Sequence, residues 1–230
     1  MSEALHFAEH RLQEMALLFM AIVYTLRVTW LLRFKPGRER QPETGLPGTT
    51  PLRGIIYSWS NIAMPWAMES TRTKFFIYSQ FVIFHLGVAA AIGLSFIIPY
   101  APGVLANLSG LVSILQVIIG AAFIVGLLRI IRRIVDKYMR AISSPDDYFS
   151  LILLTAWFFF ATLSVPNNYQ ADETVLLLYF WLTAFFLIYV PFSKISHYLY
   201  YPFTRYYFGK SMGYRGTYPI KRSPAPRKQA

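Results

Sequence analysis

The stretch that decides the fold is Phe75–Tyr100, FFIYSQFVIFHLGVAAAIGLSFIIPY, which carries no lysine, arginine, aspartate or glutamate. At about 1.5 Å of rise per residue, a helix of about 20 apolar residues crosses the hydrocarbon core of a bilayer. Three further runs meet that requirement: Leu111–Leu128, Phe149–Val165 and Thr174–Phe192. A fifth, Met15–Leu32, contains Arg27. That arginine stands within about two helical turns of the following loop, so its guanidinium can extend to the interface. The expected fold class is an all-α membrane protein, a five-transmembrane-helix bundle.

Composition agrees. Of 230 residues, 55% are hydrophobic and 14% charged, more apolar surface than a soluble fold of this size buries. The net charge of +11 raises the nucleic-acid class, but the basic residues flank apolar runs instead of forming one solvated face. Nucleic acid is therefore excluded as a partner and membrane lipid retained. The chain has no cysteine, which excludes thiol catalysis and cysteine-ligated iron–sulfur clusters; any such cluster must belong to a partner. Glu3 and Glu9 precede the first run and no small-residue cleavage site closes it, so it reads as a retained span. No phosphate loop, nucleophile elbow or HExxH motif is present, and the lack of an intramembrane carboxylate and of a broken inverted pair of helices disfavours a channel or carrier.

Of the 22 lysines and arginines, all but Arg11 and Arg27 fall in Arg33–Lys74, in Arg129–Arg140 or in the tail from Lys194. Tyr100–Gly110 carries no charge, and Pro166–Glu173 only Asp172 and Glu173. Basic loops stay in the cytoplasm, so the amino terminus is expected outside and the carboxyl terminus in the cytoplasm. The expected segments are an outer leader and first transmembrane helix (1–33), a cytoplasmic loop with an interfacial segment (34–74), a four-helix membrane core (75–200) and a basic cytoplasmic tail (201–230). The interfacial segment, Ile55–Met68, sets Trp59, Met64, Trp66 and Met68 around Pro65. The tail, rich in Gly, Pro and Tyr, cannot form a core alone and is expected to stay mobile or to order against a partner.

An ionisable group inside a span is a functional candidate by default, and His85 is the clearest one. Gly87, Ala89, Ala90, Ala91 and Gly93 follow it and let a helix or a flat cofactor approach closely. One reading is a hydrogen-bonded histidine at a helix contact; the other is a haem ligand. His197, in VPFSKISHYLYYPF, ends the last span. Two histidines on two helices of a bundle are the minimum that holds a b-type haem through its iron. His6 and His10 share a helical stripe with Glu14. They read as solvated residues near a terminus, or as a metal site or the edge of a quinol pocket.

From about Lys74 to Tyr200 the chain resembles the gamma-subunit family of respiratory nitrate reductases. These are quinol-oxidising cytochrome b subunits, with relatives in heterodisulfide-reductase-type and sulfite-reductase-linked membrane complexes. The likeness is carried by IFHLGVAAAIGLSF, by GLLRIIRRIVDKYMRAISSPDDYFSLILL and by LTAFFLIYVPFSKISHYLYYPF. The resemblance implies that His85 and His197 are the axial ligands of a haem iron, which makes 75–200 a haem-binding core. The family's second ligand pair falls on Ser95 and Tyr179, neither of which supplies an imidazole, so one haem b is implied. The implied role is a membrane-anchor subunit of a respiratory oxidoreductase in the inner (plasma) membrane of a prokaryote. It would pass electrons between the quinone pool and an iron–sulfur subunit serving a catalytic subunit, and would not be an enzyme by itself; quinone is a candidate ligand. The alternative is a haemless structural anchor that recruits catalytic subunits.

Overall fold

The structure, a computed structural model, describes residues 1–220 except 36, 38, 46, 65 and 67–71. Pro65 and Met68 of the expected interfacial segment, and the last stretch of the tail, lie outside the described residues. Every regular element among the described residues is helical. In chain order they are α1 (Glu3–Arg33), α2 (Pro51–Ser60), α3 (Phe75–Tyr100), α4 (Pro102–Asn107), α5 (Ser109–Val135), α6 (Lys137–Ala141), α7 (Pro145–Ser164), α8 (Glu173–Tyr189) and α9 (His197–Tyr214). A 3-10 turn, Val190–Phe192, prolongs α8, and a π turn, Ala8–Leu12, interrupts α1.

Short polar side chains start these helices. Ser2 accepts from the Leu5 amide at α1, Thr50 from the Arg53 amide at α2, and Asp172 from the Thr174 amide at α8. Ser144 and Asp147 form a reciprocal capping box at α7, with Pro145 in the first helical position. Asp136 ends α5 and caps α6 through the Tyr138 and Met139 amides.

Helices α1, α3, α5, α7 and α8 (with its 3-10 extension) are long and apolar enough to cross a membrane, as expected of a multi-pass membrane protein. Each contains or nearly coincides with one of the five expected runs. The largest difference is α1, which begins at Glu3 and not at Met15, and α5 likewise continues through Arg132 and Arg133 to Val135, because helical hydrogen bonding does not stop where hydropathy falls.

Contacts divide the chain into two compact units: Met1–Trp30 with Ser79–Ser196, and Leu31–Tyr78 with the chain from His197. In the first unit the core runs through α3, α5, α7 and α8, around Phe84, Leu94, Ile119, Trp157, Phe158 and Phe180. Small residues set the helix spacing. A Cβ on Gly87 would collide with the Ala122 side chain of α5, and one on Gly126 would fall 2.5 Å from Thr155 Oγ1 of α7. Such close approach supplies dispersion contacts where lipid offers no hydrophobic driving force between helices. The outward faces stay apolar, with Leu26 65% and Val117 70% exposed.

In the second unit α2 lies against α9. A Cβ on Gly209 would sit 2.6 Å from Gly54 O and 2.7 Å from Ile55 Cα, and one on Gly213 only 2.5 Å from Thr50 O. Trp59 Nε1 donates to Pro202 O at 3.0 Å, and Gly45 N to Arg215 O at 2.9 Å. Tyr218 packs edge-on to Tyr57 and Phe208, and burial pushes its hydroxyl pKa up. The start of the tail therefore differs from expectation: it is helical as far as Tyr214 and orders against the chain's own loop. The glycines that made it look coreless are what allow two backbones to touch.

Candidate functional site

His85 stands in α3 with its side chain on the exposed face of the first unit. Its Nδ1 lies 2.7 Å from Phe81 O, one turn earlier. A carbonyl oxygen can only accept, so Nδ1 carries the proton and the lone pair belongs to Nε2. Phe81 and Phe84 flank the ring, with centroids at 4.1 and 6.3 Å, and the Arg129 guanidinium of α5 lies over Phe84 at 5.2 Å. At four-residue spacing from His85 come Ala89, exposed, and Gly93, where an added Cβ would have no atom within 4 Å. The small residues thus serve two faces of one helix: Gly87 and Ala91 meet other helices, while Ala89 and Gly93 leave the histidine's own face open.

His197 is the first residue of α9, is exposed, and belongs to the second unit. The chain reaches it through a closely specified turn. Ser193 Oγ donates to Val190 O (3.1 Å) and accepts from the Ile195 amide (3.1 Å), and Ser196 Oγ donates to Ser193 O (2.8 Å). Lys194 fastens that turn to the start of α7, its Nζ meeting Asp147 Oδ2 at 2.8 Å and Ser144 Oγ at 2.7 Å. Arg133, at the end of α5, stands 3.9 Å from the same carboxylate. Tyr189 donates to Asp146, whose other oxygen accepts from the Lys194 amide at 3.3 Å. This clamp ties α5, α7 and the end of α8 together three residues before His197. In the sequence Arg133 reads as a contributor to topology and a contact for lipid headgroups; the Ser-Pro-Asp-Asp cap at 144–147 was the available signal.

Ser95 and Tyr179 lie inside the first unit. Tyr179 is fully buried and donates to Ala91 O at 2.5 Å, and Ser95 donates to Ile92 O at 2.7 Å. Trp157 stacks beside Tyr179 at 6.3 Å and donates to Thr183 Oγ1 at 2.8 Å, while Phe180 lies 5.0 Å from the Tyr179 ring. Side chains occupy the place that the resemblance assigns to a second ligand pair.

At the other end of the first unit, His6 and His10 have ring centroids 4.8 Å apart, and His10 meets Tyr100 edge-on at 5.5 Å. Tyr100 Oη donates to Glu14 at 3.3 Å. Among the described residues no group of three or more His, Cys, Asp or Glu side chains could hold a metal ion; here the rings of His6, His10 and Tyr100 pack together, with Glu14 at their edge. Gln13, which the sequence did not single out, is buried and donates to Phe180 O at 2.7 Å and Ala8 O at 3.3 Å. It binds the π turn of α1 to α8.

No family model, curated protein or solved structure matches this chain.

The residues at hand fit an axially ligated haem unequally. His85, with its proton fixed on Nδ1 and an open small-residue face beside it, has the form of a metal-binding imidazole. Ser95 and Tyr179 do not fit, because both are buried and bonded to helix carbonyls.

Proposed function

We propose that this chain is a haem b membrane-anchor subunit of a respiratory oxidoreductase, with His85 and His197 as iron ligands. It passes electrons between the quinone pool and an iron–sulfur subunit that serves a catalytic subunit. The observation that carries the reading is the His85 hydrogen bond to Phe81 O, which puts the imidazole lone pair on Nε2. The resemblance of the spans to cytochrome b gamma subunits supports it, as do the five apolar helices. The orientation belongs to the same proposal: amino terminus outside, basic loops and carboxyl terminus in the cytoplasm of a prokaryotic cell.

When bound, a bis-histidine haem supplies a one-electron carrier within the membrane. The chain's own contributions are local. Phe81 O orients the His85 ring and fixes its tautomer. The Asp147–Lys194 clamp fixes the turn from which His197 follows. Trp157, Tyr179 and Phe180 fill the interior and exclude water from it.

The test is a reduced-minus-oxidised spectrum of the purified complex with haem quantified per copy of this chain. One b-type haem is expected, abolished by His85→Ala and by His197→Ala and retained in His6→Ala and His10→Ala. Two haems per chain would refute the single-site reading, and none would favour the haemless anchor.

A further inference from the structure

In the second unit, where the first apolar helix ends, a cleft of about 630 Å³ opens between the chain that leaves α1 and the helix α9. Leu31, on the last turn of α1, and Phe34 wall one side, and Tyr207 and Tyr214 of α9 the other. Two ammonium groups, Lys35 and Lys210, border the cleft, and neither forms an ion pair among the described residues. The carboxylate in the lining, Glu39, accepts a hydrogen bond from the Gln41 amide at 3.1 Å, so it is held by the backbone and not by the lysines. Ser211 adds a hydroxyl.

These groups define a ligand. The walls are apolar and aromatic, which suits glycerol and the first acyl carbons of a lipid and gives nothing to a small soluble anion. The two ammonium groups favour phosphate oxygens and repel the choline or ethanolamine cation of a zwitterionic headgroup. The height is right as well, since the last turn of an apolar span is where hydrocarbon gives way to headgroups. We propose that this cleft binds the headgroup of an anionic phospholipid. Lys35 and Lys210 take the phosphate, and Leu31, Phe34 and Tyr207 receive the adjoining carbons. The proposal does not depend on haem.

The test uses the full chain reconstituted in phosphatidylcholine vesicles. The immobilised fraction of spin-labelled phosphatidylglycerol is compared with that of spin-labelled phosphatidylcholine. The chain should prefer phosphatidylglycerol, and Lys35→Gln or Lys210→Gln should each reduce the preference about fivefold. Lys35→Arg and Lys210→Arg should keep it, because the charge remains. Glu39→Gln should raise it by removing the opposing charge. Arg72→Gln, outside the lining, measures the background from other basic residues and should change little. Undiminished preference in the Lys35→Gln/Lys210→Gln double variant would overturn the proposal. Displacement of the labelled lipid by millimolar inorganic phosphate would also overturn it, by showing a soluble-anion site.

Discussion

Gly209→Ala adds one methyl group at the point where α9 crosses α2. The new Cβ would stand 2.6 Å from Gly54 O, 2.7 Å from Ile55 Cα and 2.8 Å from Ser58 Cβ. Two of those atoms are backbone and none is the end of a flexible side chain, so the helices must separate. Overpacking of this kind costs roughly 1–3 kcal/mol, and contact with two backbone atoms puts this case in the upper half of that range. Alanine returns about 1 kcal/mol through helix propensity. The net loss is about 1–2 kcal/mol, confined to the second unit. Hydrogen exchange read by mass spectrometry should therefore show α2 and α9 amides exchanging about 5–30-fold faster, with α7 unchanged. Gly93→Ala is the matched control, since its Cβ would have nothing within 4 Å; there the propensity gain stands alone and exchange should not accelerate. Unchanged or slowed exchange in α9 of Gly209→Ala would refute the close-crossing argument, and equal acceleration throughout the chain would refute its confinement.

Trp157→Phe leaves the buried Thr183 hydroxyl without its donor and should cost about 1–3 kcal/mol, read as a lower thermal midpoint in detergent. Lys194→Met should cost no more than about 1 kcal/mol, because the Lys194 side chain is 60% exposed and its pair with Asp147 is screened. Asp147→Ala also removes the α7 cap and should cost more than Lys194→Met in the same assay. For orientation, Arg40→Cys and Lys137→Cys in this cysteine-free chain should resist an impermeant thiol reagent on intact cells while Glu3→Cys is labelled, and the reverse pattern would invert the assignment.

The spans were legible because crossing a bilayer demands only length and freedom from charge, properties of consecutive residues such as Phe75–Tyr100. His85 could be singled out for the same reason: a histidine in an apolar run is conspicuous. Its sequence did not say which way the ring faces. That depends on Gly87 and Ala91 turning toward α5 and α8, partners far away along the chain. Ser95 and Tyr179 could be seen to lack imidazoles, but only the packed bundle places both in the interior, bonded to carbonyls of α3. The tail is the sharpest case. Gly209 and Gly213 signal flexibility when read alone, and they become a helix contact only when Thr50, Gly54 and Ser58 stand opposite, since a glycine's missing side chain has no meaning until something fills the space. Likewise Lys194 counted toward the positive-inside pattern, while its pairing with Asp147 arises from the way α7 and α8 pack. Local chemistry thus determined what each segment is and where it can reside; tertiary structure decided which faces meet, because a contact is a property of two surfaces and a sequence shows each of them alone.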